Sequence, residues 1–156
     1  IKPDKINMIS DGKFSESLTS PRSSLEYSVP HNASSTAEYP YSIDMNAGSV
    51  SDDSILSTIN NGLYISNLWY LNFSDRNNGR KTGLTRFGCF IIENGKLTAP
   101  INTMRFDDSV YSMLGENLIG FTSKRELLID SGTYEERSTS SARLPGALVN
   151  NFKMTL

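Results

Sequence analysis

Hydrophobic positions along this chain fall into short runs bounded by turn formers, with no heptad and no internal repeat. Ile6-Asn7-Met8-Ile9 and Lys13-Phe14 flank Asp11-Gly12, a dipeptide that accepts the positive φ angles of a type I′ turn and so predicts a hairpin. Pro21, within Leu18-Thr19-Ser20-Pro21-Arg22-Ser23, discourages a regular ladder, and residues 29–41, with Pro30 and Pro40, read as a surface loop. Ser51 as N-cap, Asp52 and Asp53 in the first turn, and Ile55, Leu56 and Ile59 on one face predict a short helix stopped by Asn61-Gly62. The β formers from Leu63 to Leu71 predict a strand, residues 72–83 a polar connection, and Arg86–Glu93 a buried strand. Asn94-Gly95 then turns the chain back into Lys96-Leu97-Thr98, the strongest short-range hairpin signal present.

Farther along, Asp107-Asp108 opens a second predicted helix carrying Val110, Met113 and Leu114. Leu127-Leu128-Ile129 is a third strand candidate, and the stretch from Ser131 to Arg143 is polar and turn-like. Ala147-Leu148-Val149 and Phe152–Leu156 predict a terminal strand bulged at Asn150-Asn151. The pattern is that of a mainly β (α+β) chain, an antiparallel sheet domain with two short helices.

Composition narrows the function classes. The 156 residues suit one domain over 1–156, and 15 basic against 17 acidic side chains leave a net charge of −2. That balance lacks the basic footprint of a nucleic-acid binder, so no direct nucleic-acid partner is expected. One Cys and one His exclude an internal disulfide and a zinc finger, and the apolar runs are too short to span a membrane. The first residue is Ile1, which fits the downstream piece of a longer protein.

Few residues invite chemistry. His31 sits in a loop with no apolar framework to hold a catalytic base, and Cys89, between Phe87 and Phe90, reads as a buried inert thiol. Capping explains Asp52-Asp53 and Asp107-Asp108, although Arg105 just ahead gives the second pair more interest. No catalytic and no metal-binding residue is assigned. Arg76, Arg80, Arg86 and Arg105 gather in the middle third beside aromatic strands, and guanidinium forks recognise carboxylates or pair across an interface. Together with Asp107, Trp69 and Tyr70 they are the candidates for peptide binding or a subunit interface. The sequons at Asn32 and Asn72 matter only in a secreted chain.

The middle of the chain also resembles a known family. Asn61-Gly62-Leu63-Tyr64-Ile65, Thr82-Gly83, the run Phe87-Gly88-Cys89-Phe90-Ile91-Ile92-Glu93-Asn94-Gly95-Lys96, and Ala99-Pro100-Ile101 are similar, in that order, to segments of the C-terminal domain of the TldD/PmbA family, related to metallopeptidases and to modulators of DNA gyrase. Leu18–Ser23, Asn32-Ala33, Asn72–Arg76, Met104–Ser109 and Arg143-Leu144-Pro145-Gly146 resemble a divergent branch of it. The resemblance covers essentially the whole chain but only about the last third of a family member.

That resemblance implies a proteolytic context: a zinc metallopeptidase acting on unfolded segments or small peptides, paired with a related metal-free subunit. The family's zinc comes from a His-Glu-x-x-x-His helix, whose histidines project toward one metal, plus a Cys near the C-terminus. No such helix motif exists here, and Ser131-Gly132-Thr133-Tyr134-Glu135-Glu136 stands where that Cys would fall. The chain thus resembles the metal-free subunit more than the zinc subunit. The expectation is a domain non-catalytic by itself that contributes to dimerisation, homo or hetero, and to binding a peptide or unfolded protein in the cytoplasm, in proteolysis or peptide maturation. No cofactor is expected in this chain, with zinc reserved for the full-length parent. The alternatives are an active zinc metallopeptidase whose ligands lie upstream of Ile1, and an unrelated β-rich binding module. Tyr64, Trp69, Tyr70 and Phe73 read first as core or subunit-interface positions, and truncation that leaves Trp69 and its neighbours exposed predicts self-association of the isolated chain.

Overall fold

A computed structural model describes residues 5–133 and 137–155. The chain divides into two compact units, one of residues 1–43 and 129–142, the other of residues 44–128 and 143–156.

The first unit begins with the expected hairpin. Strands β1 (Ile9–Ser10) and β2 (Lys13–Phe14) pair antiparallel across Asp11 (φ 52°) and Gly12 (φ 72°). Pro21 does not merely interrupt the chain: it opens helix α1 (Pro21–Tyr27). Proline suits the first helical turn because its missing N–H is unpaired there anyway, and Ser20 Oγ accepts from Ser23 N as the N-cap. The described helices therefore number three, not two. Residues 29–41 contain no strand or helix, in line with a loop, yet the segment is cross-linked. Asn32 Oδ1 accepts from Thr19 N (2.9 Å), Asn32 Nδ2 donates to the Ser17 carbonyl (2.8 Å), and Glu38 Oε1 accepts from Ser20 N (2.8 Å). The Ser23 hydroxyl first, then the Ser20 amide and hydroxyl, hold the Glu38 carboxyl below its ordinary pKa.

In the second unit a 3₁₀ turn (Asp52–Ser54) leads into α2 (Ile55–Ile59), near the predicted helix, and Asn60 ends it with φ 57°. The β-rich run from Leu63 to Leu71 is not one strand. It splits into β4 (Gly62–Tyr64) and β5 (Asn67–Asp75), which join different sheets. The predicted polar connection at 72–83 is instead the end of β5 and the start of β6 (Arg80–Arg86), joined by a tight turn. Asp75 Oδ1 accepts from the amides of Asn77 and Asn78 there, so the polar composition belongs to a hairpin tip.

Strand β7 is shorter than expected (Phe90–Glu93), because Phe87 at φ 64° and the bend at Gly88 separate it from β6. It returns through Asn94 (φ 52°) and Gly95 (φ 71°) to β8 (Lys96–Pro100), with Glu93 opposite Lys96, as the Asn-Gly signal predicts. Asp107-Asp108 does not open a helix. Both residues lie inside β9 (Arg105–Ser109), and α3 (Val110–Met113) follows it. Leu127–Ile129 ends a much longer β10 (Leu118–Ile129), and the predicted turn region gives way at Ser141 to β11 (Ser141–Val149). Met154-Thr155 forms a separate β12; the predicted continuation through Leu156, like Tyr134-Glu135-Glu136, lies outside the described residues.

The sheets run β12-β9-β6-β5, β4-β7-β8 and β10-β11-β3, where β3 is Ser42–Asp44. In the four-stranded sheet, Phe106 is fully buried and meets Phe152 with ring centres 5.2 Å apart. Gly83 pairs with Phe106, and a Cβ there would stand 2.7 Å from the Trp69 carbonyl oxygen and 2.9 Å from the Phe106 ring, so glycine is what allows this close packing. Thr85, also fully buried, exchanges hydrogen bonds with Met104: its N–H donates to the Met104 carbonyl and its hydroxyl accepts the Met104 N–H.

Candidate functional site

Strand alternation sorts the candidate residues. Cross-strand partners share a face, and β6 pairs Arg86 with Asn67, Leu84 with both Trp69 and Arg105, and Thr82 with both Asn72 and Asp107. Arg80, Thr82, Leu84 and Arg86 therefore share one face of the four-stranded sheet with Trp69, Arg105 and Asp107. The opposite face carries Lys81, Gly83, Thr85, Phe106 and Asp108, of which all but the half-buried Lys81 are buried. Five of the seven residues singled out from the sequence thus meet on the open face. Tyr70 and Arg76 do not belong to this row: Tyr70 lies in a bulge and Arg76 in the β5–β6 turn.

The ion pairs divide these cations by role. Arg80 donates from Nε and Nη2 to Asp107 Oδ1 (3.1 and 2.7 Å), and Ser74 Oγ donates to the same oxygen (3.1 Å). Arg80 and Asp107 are accordingly a structural pair across β6 and β9. Arg105 Nε reaches only the Thr82 hydroxyl (3.4 Å), two strands in from β5, or about 10 Å from it. Arg86 places its guanidinium carbon 5.2 Å from the centre of the Trp69 ring, and Arg76 lies 5.1 Å from that of Phe73. Lys81, absent from the sequence-based set, puts its ammonium 3.3 Å from the same Phe73 ring. Nothing in the composition of residues 72–83 distinguishes this lysine; only the register sets it against Phe73.

Strand β5 is one of the two outer strands of its sheet among the described residues, and its exposure is unusual. Trp69 is 45% exposed, Tyr70 70%, Leu71 52% and Phe73 47%. Tyr70 and Leu71 together oppose the single residue Gly83, and Tyr70 takes φ 53°, a left-handed conformation uncommon for a bulky side chain. Its ring meets Trp69 edge-on at 6.1 Å. Leu68, Trp69, Tyr70 and Leu71 line an open apolar depression. A bare strand edge offers unpaired backbone amides and carbonyls, and the adjoining apolar side chains offer area to bury.

The remaining candidates are quiet. Asp108 is fully buried, its carboxylate accepting from Ser109 N (2.8 Å) and Lys153 N (3.0 Å), which ties β9 to the segment before β12. Cys89 is buried and unpaired, as its apolar flanks suggest, and His31 is exposed with Nδ1 accepting from Ala33 N. Among the described residues, no group of three or more His, Cys, Asp or Glu side chains gathers as a metal site would require, and no helix is long and apolar enough to cross a membrane.

The fold defines a mainly β domain of antiparallel-dominated sheets, with aromatic side chains exposed along the outer strand β5. The model of the PmbA/TldA metallopeptidase C-terminal domain matches residues 1–156, and the chain belongs to that family, the TldD/PmbA proteins. Among solved structures it is similar to TldE from Thermococcus kodakarensis, with a TM-score of 0.75 and 15% identity over 96% of this chain. The chain spans 33% of that protein's length. No curated protein matches it in sequence.

Proposed function

We propose that this chain is a domain, non-catalytic by itself, of a TldD/PmbA-type protein, and that it binds an extended peptide or unfolded segment along β5 beside a partner subunit of the same family. The observation that carries the reading is the free edge of β5 with Trp69, Tyr70, Leu71 and Phe73 exposed along it. An extended peptide added to such an edge gains main-chain hydrogen bonds, and the side chains around it read the alternate residues. Family membership supports a setting in peptide hydrolysis or maturation. Exposed Leu63, Tyr64, Phe87 and Leu97 support a subunit contact, and a single unpaired thiol accords with the cytoplasm. The test is an anisotropy titration with a labelled extended peptide and with the same peptide N-methylated at alternate residues. Saturable binding lost on N-methylation is expected; equal binding by both would remove the edge mode.

A second reading rests on the family description itself, which names a metallopeptidase. If the whole protein is the zinc enzyme, elemental analysis of it, purified without chelator and with zinc supplied, finds about one zinc per chain. A zinc-free protein points to the metal-free, partner-type subunit. Light scattering bears on the subunit contact: association is expected, and a monomer at working concentration would count against it.

A further inference from the structure

The charges along β5 carry the edge-binding reading one step further, and the step rests on that reading. On one face of the strand Arg86 lies against Trp69; on the other Lys81 and Arg76 lie against Phe73. Among the described residues, none of these three cations has a carboxylate within 4.0 Å, whereas Arg80, Lys124 and Arg125 of the same unit are each paired with an aspartate. A ring face positions a cation without neutralising it. In a chain whose net charge is −2, three unpaired cations thus flank both faces of β5, an outer strand whose aromatic side chains Trp69, Tyr70 and Phe73 are exposed.

We propose that the segment accepted by β5 is acidic, with one carboxylate on each face of the added strand. Their spacing follows from the register. Trp69 stands opposite Leu84 and Phe73 opposite Lys81, so, with the bulge at Tyr70-Leu71 taken out, the two cation sites lie three positions apart along a regular strand. An odd spacing places side chains on opposite faces. The matching pattern is Glu-x-x-Glu, the first kind of contact falling at Arg86 and the second at Lys81 and Arg76. A second copy of this chain is a poorer occupant, because edge-to-edge pairing of two β5 strands would bring the same three cations together, and like charges opposite each other destabilise a ladder.

The experiment compares labelled peptides of one extended sequence carrying Glu-x-x-Glu, Gln-x-x-Gln or Lys-x-x-Lys, read by anisotropy and by the emission of Trp69, the single tryptophan of the chain. Two or three exposed ion pairs predict that the Glu peptide binds about 3- to 10-fold more tightly than the Gln peptide. The advantage disappears in roughly 1 M salt, and in the double variant Lys81→Gln/Arg86→Gln the ratio of Glu-peptide to Gln-peptide affinity falls to about one. Equal affinity for the Glu and Gln peptides overturns the acidic preference and leaves the edge reading standing. Binding by none of the peptides overturns both. A concentration-dependent change in Trp69 emission without peptide, which no peptide reverses, gives the edge to a second copy and overturns the proposal.

Discussion

Replacing Asp108 by alanine tests whether a buried carboxylate holds β12 against β9. Asp108 is fully buried and accepts two backbone amides, from Ser109 at 2.8 Å and from Lys153 at 3.0 Å. Alanine leaves both donors without this partner, and an unsatisfied buried donor costs about 1–3 kcal/mol. Part of that loss is offset because a carboxylate no longer has to be taken out of water. The net expectation for Asp108→Ala is a destabilisation of about 2–4 kcal/mol, and for Asp108→Asn, which keeps one acceptor oxygen, about half as much. Urea denaturation reads the change as a lower midpoint at similar slope. Hydrogen exchange adds a local readout. Asp107 N donates to the Lys153 carbonyl (3.1 Å), so the amides of Asp107 and Lys153 should both exchange faster once Asp108 lets go of that segment. A variant within 0.5 kcal/mol of the parent, with exchange at Lys153 unchanged, would refute the reasoning.

Three further outcomes follow from single sites. Gly95→Ala places a side chain at φ 71° although its Cβ would meet only ordinary contacts, so the loss should be conformational, about 1 kcal/mol by denaturation, and an unaffected midpoint would contradict it. The Asn78 side chain, followed by backbone amides, holds the Asp75 carboxyl below its ordinary value of 3.8. Its stabilising contribution is therefore present above that pH and lost as pH falls through the lower folded value; Asn78→Ala should raise the Asp75 titration seen by carboxyl NMR, and an unmoved curve would sink the assignment. Cys89, buried with its thiol near the Arg86 carbonyl, should react with a thiol reagent far more slowly in the native protein than in denaturant, and prompt native labelling would place it elsewhere.

The two Asp-Gly and Asn-Gly hairpins were legible because their turns are local: the dipeptides themselves supply the positive φ angles that a tight reversal needs. The short helix after Ser51 was legible for a similar reason, though it ends at Asn60 rather than at the Asn61-Gly62 pair. Helix α1 carries a local signal in Ser20-Pro21, an N-cap followed by a first-turn proline, because the proline that discourages a strand ladder also suits a helix start. The candidate site was half legible. Arg80, Arg86, Arg105, Asp107 and Trp69 do share a face, yet Arg80 and Asp107 spend their charges on each other, and Lys81 enters only through its register with Phe73.

The sequence by itself determined the mainly β class, the two hairpin turns and the family, since each depends on neighbouring residues or on ordered short segments. Tertiary structure alone decided that the run from Leu63 to Leu71 divides between two sheets and that polar residues 80–86 form an interior strand. It also decided that Asp107 and Asp108 sit in a strand rather than on a helix cap. An acidic pair suits a helix start on local grounds. Here Asp107 is claimed by Arg80, 27 residues away, and Asp108 by the amide of Lys153, 45 residues away. Partners that far along the chain meet only when the strands have paired, and pairing follows from burying Phe106 over Gly83, a long-range packing choice that no local window of sequence contains.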